Sequence, residues 1–265
     1  MDELIRYERG DDGVAILTLS DPPANTYSYE MMRQLDAAIL EARMDDGVHA
    51  LVLRGDGERF FCAGADIRML ASVTPRFKYY FCLHANETLS RLEQTPKLVV
   101  AALNGHCVGG GLEVALAADL RFARKGAGRI GLPEVNLGVL PGTGGTQRLT
   151  RLLGRSRALE LMATGRLLEF EEARTLGLLN DVLEAQDADA FVELARSRAR
   201  EFVPPGRASK AVGLIKRAVT SGAEMAFAEG LALERELQQQ LFESEDAREG
   251  LAANLEKRKP SFKGR

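Results

Sequence analysis

The chain has 265 residues, enough at roughly 150 per domain for one large or two modest globular units. Its 45% hydrophobic and 28% charged composition, with 26 Gly and 9 Pro, excludes a disordered, collagen-like or low-complexity chain, and the absence of Trp excludes a tryptophan cage. A formal net charge of −3 lacks the field of a non-specific nucleic-acid binder, so an anionic ligand has to be caught locally. Cys62, Cys82 and Cys107 form no C-x-x-C pair and have three histidines, His49, His84 and His106, to help them. This argues against a zinc site and a disulfide framework and fits a reducing cytoplasm. The charged start around Asp2, Glu3 and Arg6 does not suit a signal peptide, and no apolar run approaches the roughly 18 residues of a membrane span.

In chain order, Val14–Leu19 is a short apolar run stopped by Asp21-Pro22-Pro23 and predicts a strand. Ser28 stands before apolar residues at helical spacing and is the candidate N-cap of a helix to about Arg43. A second strand is expected over 49–53, a helix opened by Pro75 over 75–94, and a third strand over 97–103 between Pro96 and Asn104-Gly105. Strands alternating with helices imply crossover connections and a largely parallel sheet. After about residue 145 the helical period dominates, with one strand expected over 179–183. Pro204-Pro205-Gly206 separates the helix before it from helices over 208–220, 224–242 and 245–258. The expected organisation is an α/β core over 1–200 with a helical region over 201–265.

Two glycine-rich segments and two glutamates carry chemistry. Asn104-Gly-His-Cys-Val-Gly109-Gly110-Gly111-Leu-Glu113 follows a strand and enters a helix, which leaves backbone N–H groups free for a ligand. It matches neither G-x-G-x-x-G nor a P-loop, and a packed turn explains it equally well. Phe61-Cys-Ala63-Gly-Ala-Asp66 offers a second set of small residues at a strand end. Two donors converging on one oxygen would form an oxyanion hole. Glu134, after Pro133, is at minimum a first-turn helix carboxylate. Glu113 has the same minimal explanation, but its apolar neighbours Leu112, Val114 and Leu116 threaten it with burial.

These segments, with Pro133-Glu134 and Leu137-Gly-Val-Leu-Pro-Gly-Thr-Gly-Gly-Thr-Gln-Arg-Leu149, resemble the three signatures of the crotonase superfamily and of its enoyl-CoA hydratases in particular. The resemblance runs in order from Asn25 to the helical tail. It implies a crotonase-like ββα spiral core with a helical C-terminal oligomerisation region, forming a homotrimer or a pair of trimers. It further implies reversible syn hydration of a trans-2-enoyl-CoA to a 3-hydroxyacyl-CoA, as in fatty acid degradation, with no cofactor beyond the CoA of the substrate. By the same resemblance Ala63 and Gly110 donate N–H to the thioester oxygen and Glu113 and Glu134 hold and activate water. Glu134 is then the main acid/base, and Ala24, Gly64, Ala65, Asp66 and Ile67 line the CoA channel. The alternatives are an enoyl-CoA isomerase, a methylglutaconyl-CoA hydratase, a decarboxylase, a hydrolase or a non-catalytic RNA-binding homologue. Retention of both glutamates favours hydration.

Three departures from the common family pattern stand out. Tyr27 and Tyr29 in the first loop either narrow the acyl pocket or pack the following helix. The stretch Lys125-Gly-Ala-Gly128 is a residue longer than usual, and Cys62 beside the oxyanion segment reads as core filler. The basic end of the chain, containing Lys257, Lys259 and Lys263, either reaches a neighbour's CoA or is a solvated, frayed terminus. The cluster Arg196, Arg198, Arg200, Arg207, Lys210, Lys216 and Arg217 reads as a charged helix surface.

Overall fold

The computed structural model describes residues 2–265. β1 (Ile5–Arg9) and β2 (Val14–Leu19) pair antiparallel, and α1 (Tyr29–Met44) follows under its expected cap, with Ser28 Oγ accepting from the Met31 N–H at 3.2 Å. The chain then turns three times through one pattern, a long strand, a short strand and a helical element. The first turn is β3 (Ala50–Gly55), β4 (Phe60–Cys62), α2 (Ile67–Ser72) and α3 (Pro75–Glu93). The second is β5 (Leu98–Leu103), β6 (His106–Val108) and α4 (Gly110–Leu116). The third is β7 (Leu120–Arg124), β8 (Arg129–Gly131) and a one-turn 3-10 helix, Glu134–Leu137. Next come α5 (Gly145–Leu153), α6 (Arg155–Thr164), β9 (Leu168–Glu169), α7 (Phe170–Thr175) and β10 (Asp181–Leu183). The chain closes with α8 (Ala188–Arg200), α9 (Ser209–Gly222), α10 (Phe227–Phe242) and α11 (Glu245–Leu255).

The long strands form a six-stranded sheet in the order β1-β2-β3-β5-β7-β10, parallel except for β1. Its central strands are apolar on both faces, as strands covered on both sides must be. Ala50, Val52, Val100 and Ala102 face Phe191, Val192 and Ala195 of α8, and Leu51, Leu53, Val99 and Ala101 face the larger core under α1, α3 and α4. The short strands form a second sheet, β4-β6-β8-β9. β4, β6 and β8 are parallel neighbours, so the segments that leave their C-terminal ends emerge side by side at roughly 5 Å spacing. That sheet positions the site.

The passage from the long sheet to the short one needs close backbone contact. A Cβ on Gly105 would lie 2.3 Å from the Arg59 carbonyl carbon, and Asn104, fully buried, bonds Gly55 N–H at 2.9 Å and the Gly57 carbonyl at 2.7 Å. The parallel crossover architecture is as expected from sequence. The short strands are not, nor is β9 after residue 145, because two or three residues carry no periodicity. One reading of the basic cluster is corrected. Lys216 is buried and pairs with Asp119 at 2.8 Å, joining α9 to the strand sheet, because its Nζ also reaches the Lys97 carbonyl at 3.1 Å. Arg196 and Arg200 of the same cluster pair with Asp12.

The end of the chain is not frayed. Asp246 accepts from the N–H groups of Lys263 and Gly264 at 2.7 and 2.8 Å, Phe262 N–H donates to the Pro205 carbonyl at 3.1 Å, and Lys263 Nζ lies 3.6 Å from Glu245. No helix is long and apolar enough to cross a membrane among the described residues.

Candidate active site

The segments leaving β4, β6 and β8 meet at a cavity of about 500 Å³. After β4, Gly64 adopts φ +92°, and a Cβ there would lie 2.9 Å from the Gly110 nitrogen, so only glycine lets the first two segments touch. The expected donor Ala63 is corrected by this geometry. Its N–H is already given to the Ala24 carbonyl at 3.0 Å. Tyr27 N–H donates to the Gly64 carbonyl at 2.9 Å and Asp66 N–H to the Tyr27 carbonyl at 3.1 Å, a parallel bridge in which Ala65 directs its own N–H to the opposite side. Ala65 lines the cavity, and its N–H has no backbone partner among the described residues. The second donor is Gly110, which opens α4 and whose N–H lies beyond the reach of intrahelical bonding.

Of the other positions expected along the CoA channel, Gly64, Ala65 and Ile67 line this cavity, but Ala24 and Asp66 do not. The Ala24 carbonyl is taken by Ala63, and the Asp66 carboxylate caps α2 by accepting from Arg68 N–H at 2.8 Å. Asn25 holds this loop in place. It adopts φ +51°, a conformation asparagine tolerates, and its amide donates to the carbonyls of Asp56 at 3.0 Å and Phe60 at 2.9 Å. Cys62 is buried core filler whose thiol is pushed up to about 12 by burial, so it stays neutral.

Glu113 and Glu134 both line the cavity, in unlike surroundings. Glu113 is 2% exposed. Its Oε1 accepts from the N–H groups of Thr143 and Gly145, each at 2.7 Å, and its Oε2 accepts from Thr143 Oγ1. A carboxylate offers about four lone pairs, so three donors leave one acceptor site. Glu134 begins the 3-10 turn, and its Oε2 is buried with no hydrogen-bond partner. Burial, followed by the charge of Glu113, raises its pKa to about 7, opposed by its own backbone N–H and by Lys78 of α3. Glu134 therefore titrates near neutrality and holds its proton below it.

The tyrosines of the first loop divide between the two expectations. Tyr27 is buried against Gly110 and lines the cavity; Tyr29, 41% exposed, packs on the Phe77 and His84 rings at 6.1 and 5.2 Å. Sequence reasoning missed Thr143 and Lys78. Thr143 lay inside a recognised signature, but its pairing with Tyr27 is a contact between distant segments that only the fold reveals.

A larger cleft, about 720 Å³, opens between α3, α5 and α9. Its carboxylates Glu93 and Glu224 are tied to Arg148 and Arg151, so it presents no free acid/base pair. Among the described residues no group of three or more His, Cys, Asp or Glu side chains is placed to hold a metal ion.

Known proteins resemble this chain in sequence and in fold. Residues 9–265 match the family model described as enoyl-CoA hydratase/isomerase. A short-chain-enoyl-CoA hydratase of Clostridium acetobutylicum is 37% identical over 95% of this chain and 95% of its own. The mitochondrial methylglutaconyl-CoA hydratase of Homo sapiens is 36% identical over 99% of this chain and 78% of its own. A crystal structure of an enoyl-CoA hydratase from Geobacillus kaustophilus superposes with a TM-score of 0.93 at 45% identity, covering 100% of this chain and 98% of that one.

Proposed function

The chain belongs to the enoyl-CoA hydratase/isomerase family of the crotonase superfamily, and within it we propose that this enzyme is a hydratase, adding water reversibly to a trans-2-enoyl-CoA. One observation carries the reading: two carboxyl groups flank one cavity, one with its acceptor sites organised by the loop at Thr143 and the other poised to hold a proton.

In this reading the thioester oxygen accepts from the N–H groups of Ala65 and Gly110, whose fixed dipoles stabilise the negative charge that develops as the double bond is attacked. The remaining acceptor site of Glu113 takes the proton of a water whose oxygen bonds to the β-carbon. Glu134 delivers its proton to the α-carbon. The product has gained H at one carbon and OH at the next, and transfer of the proton from Glu113 back to Glu134 resets the pair. Val108, Leu137, Val139 and Leu140 supply an apolar wall against which an acyl chain can pack.

A second reading within hydration is favoured by Lys78, a cation in this largely apolar cavity. An acyl group ending in a second carboxylate would meet it, as a methylglutaconyl group would. Assembly into trimers, through the region 201–265, belongs to the same proposal. It is supported by exposed apolar side chains on the C-terminal helices, including Val219 at 66% and Phe227 at 82%.

The test mixes the enzyme with crotonyl-CoA, longer enoyl-CoAs and 3-methylglutaconyl-CoA and follows loss of the conjugated thioester absorbance, with thiol release measured in parallel. Hydration of at least one substrate is expected, with loss of about 10²–10⁴ in Glu113→Gln and Glu134→Gln. Inactivity on the whole panel, full activity of both variants, or thiol release in place of hydration overturns the assignment.

A further inference from the structure

The hydroxyl of Thr143 joins two groups that belong to different parts of the chain. It donates to Glu113 Oε2, and it lies 3.1 Å from Tyr27 Oη. A threonine hydroxyl has one proton, and here it goes to Glu113, so the Tyr27 hydroxyl must be the donor of the other bond. Thr143 donates to Glu113, and Tyr27 donates to Thr143. The tyrosine is 3% exposed, and burial with the nearby charge of Glu113 raises its pKa well above the usual value, so the phenol keeps the proton it donates.

The packing gives the phenol no other place. A Cβ on Gly110 would lie 2.0 Å from Tyr27 Oη, so the ring presses on the backbone that supplies the oxyanion donor while its oxygen points to Thr143. Tyr27 also packs at 5.9 Å against the Phe81 ring of α3, the two planes tilted by 39°. The groups facing this arrangement are Glu134 from the 3-10 turn, Lys78 and Cys82 from α3, and Cys62 from β4.

We propose that Tyr27 and Thr143 are positioning residues, a two-hydroxyl relay that holds Glu113 as the acceptor of the carboxyl pair and so assigns the pair's proton to Glu134. This rests on the acid/base reading above. Both hydroxyls are spent on each other and on Glu113, so the relay acts through Glu113. Without it, the proton could sit on either carboxyl, and a water facing a protonated Glu113 would lose its acceptor.

The experiment compares Thr143→Val, Thr143→Ser, Tyr27→Phe and the double variant Tyr27→Phe/Thr143→Val. Thr143→Val is expected to move the acid limb of the kcat/KM profile upward by about half to one pH unit, the size of one lost hydrogen bond, with KM little changed. Thr143→Ser, which keeps the hydroxyl, restores the limb. Tyr27→Phe moves it in the same direction by less, and the double variant moves it no further than Thr143→Val alone, because the two act in series. An unmoved limb in Thr143→Val, or additive effects in the double variant, overturns the relay.

A second readout needs no activity. In a Glu134→Gln background, the infrared band of the protonated carboxyl at Glu113 is followed against pH. Its midpoint rises when Thr143→Val is added and stays when Thr143→Ser is added; equal midpoints in all three overturn the proposal. If the enzyme hydrates no substrate, the hydratase reading fails and the infrared midpoints decide the relay by themselves. Should Thr143→Val not fold, Tyr27→Phe carries the same expectation in both measurements.

Discussion

Gly110 lacks a side chain where the hydroxyl of Tyr27 occupies the space a side chain would need, 2.0 Å from the position of an added Cβ. The contact couples the first loop to the start of α4, and so to one of the two N–H groups assigned to the thioester oxygen. Gly110→Ala must displace either the phenol or that N–H. The expected outcome is a loss of about 10²–10³ in kcat, the size of one oxyanion donor. Gly222→Ala, whose methyl meets nothing within 4 Å, is the control and should keep wild-type turnover. Steady-state kinetics on the two variants, with circular dichroism to confirm folding, checks this.

The raised pKa of Glu134, about 7 against an ordinary 4.5, ties stability to pH in a stated direction. Between these values the folded protein holds a proton that the unfolded chain has released. Stability from this group therefore falls as pH rises from about 4.5 through about 7 and stays low above it. Glu134→Gln removes the buried charge. It should melt higher than wild type at alkaline pH, by on the order of 1–3 kcal/mol, with the gap closing toward pH 4.5. Thermal melts across that range decide it, and a gap that widens in acid refutes it.

Lys78 opposes that shift, since its positive charge favours the ionised form of Glu134. Lys78→Met should move the alkaline limb of the rate profile, where Glu134 loses its proton, to higher pH. The pH dependence of kcat on any accepted substrate measures this; a limb moved to lower pH would reverse the assigned sign.

The Lys216 and Asp119 pair joins α9 to the central sheet with the lysine buried. Burial lowers the pKa of the lysine and raises that of the aspartate, each partner partly offsetting the penalty on the other. Breaking one side leaves a buried charge alone, so Lys216→Met should cost about 3–5 kcal/mol, and Lys216→Met/Asp119→Asn should regain much of it. Denaturant unfolding of the single and double variants tests the coupling.

Features set by neighbours in sequence were legible in the sequence. The Ser28 cap, the Pro75 helix start and the apolar strands all announce themselves within a few residues. The short strands β4, β6 and β8 do not, because what makes them strands is pairing with each other across 23 to 46 residues of chain. Both glutamates were legible from their motifs. Ala63 and Ala65 could not be told apart, because the difference is the direction in which a peptide N–H points, fixed by Ala24 and Tyr27 on another loop. The hydroxyls of Tyr27 and Thr143 meet for the same non-local reason.

The clamp on the last residues bears on how the end of the chain meets a protease. Asp246 grips the N–H groups of Lys263 and Gly264, and its own N–H donates to the Arg265 carbonyl at 3.2 Å. Asp246→Ala removes both carboxylate contacts, so residues 261–265 should come away from α11 and be clipped faster by a protease specific for basic residues, while the body of the protein stays folded.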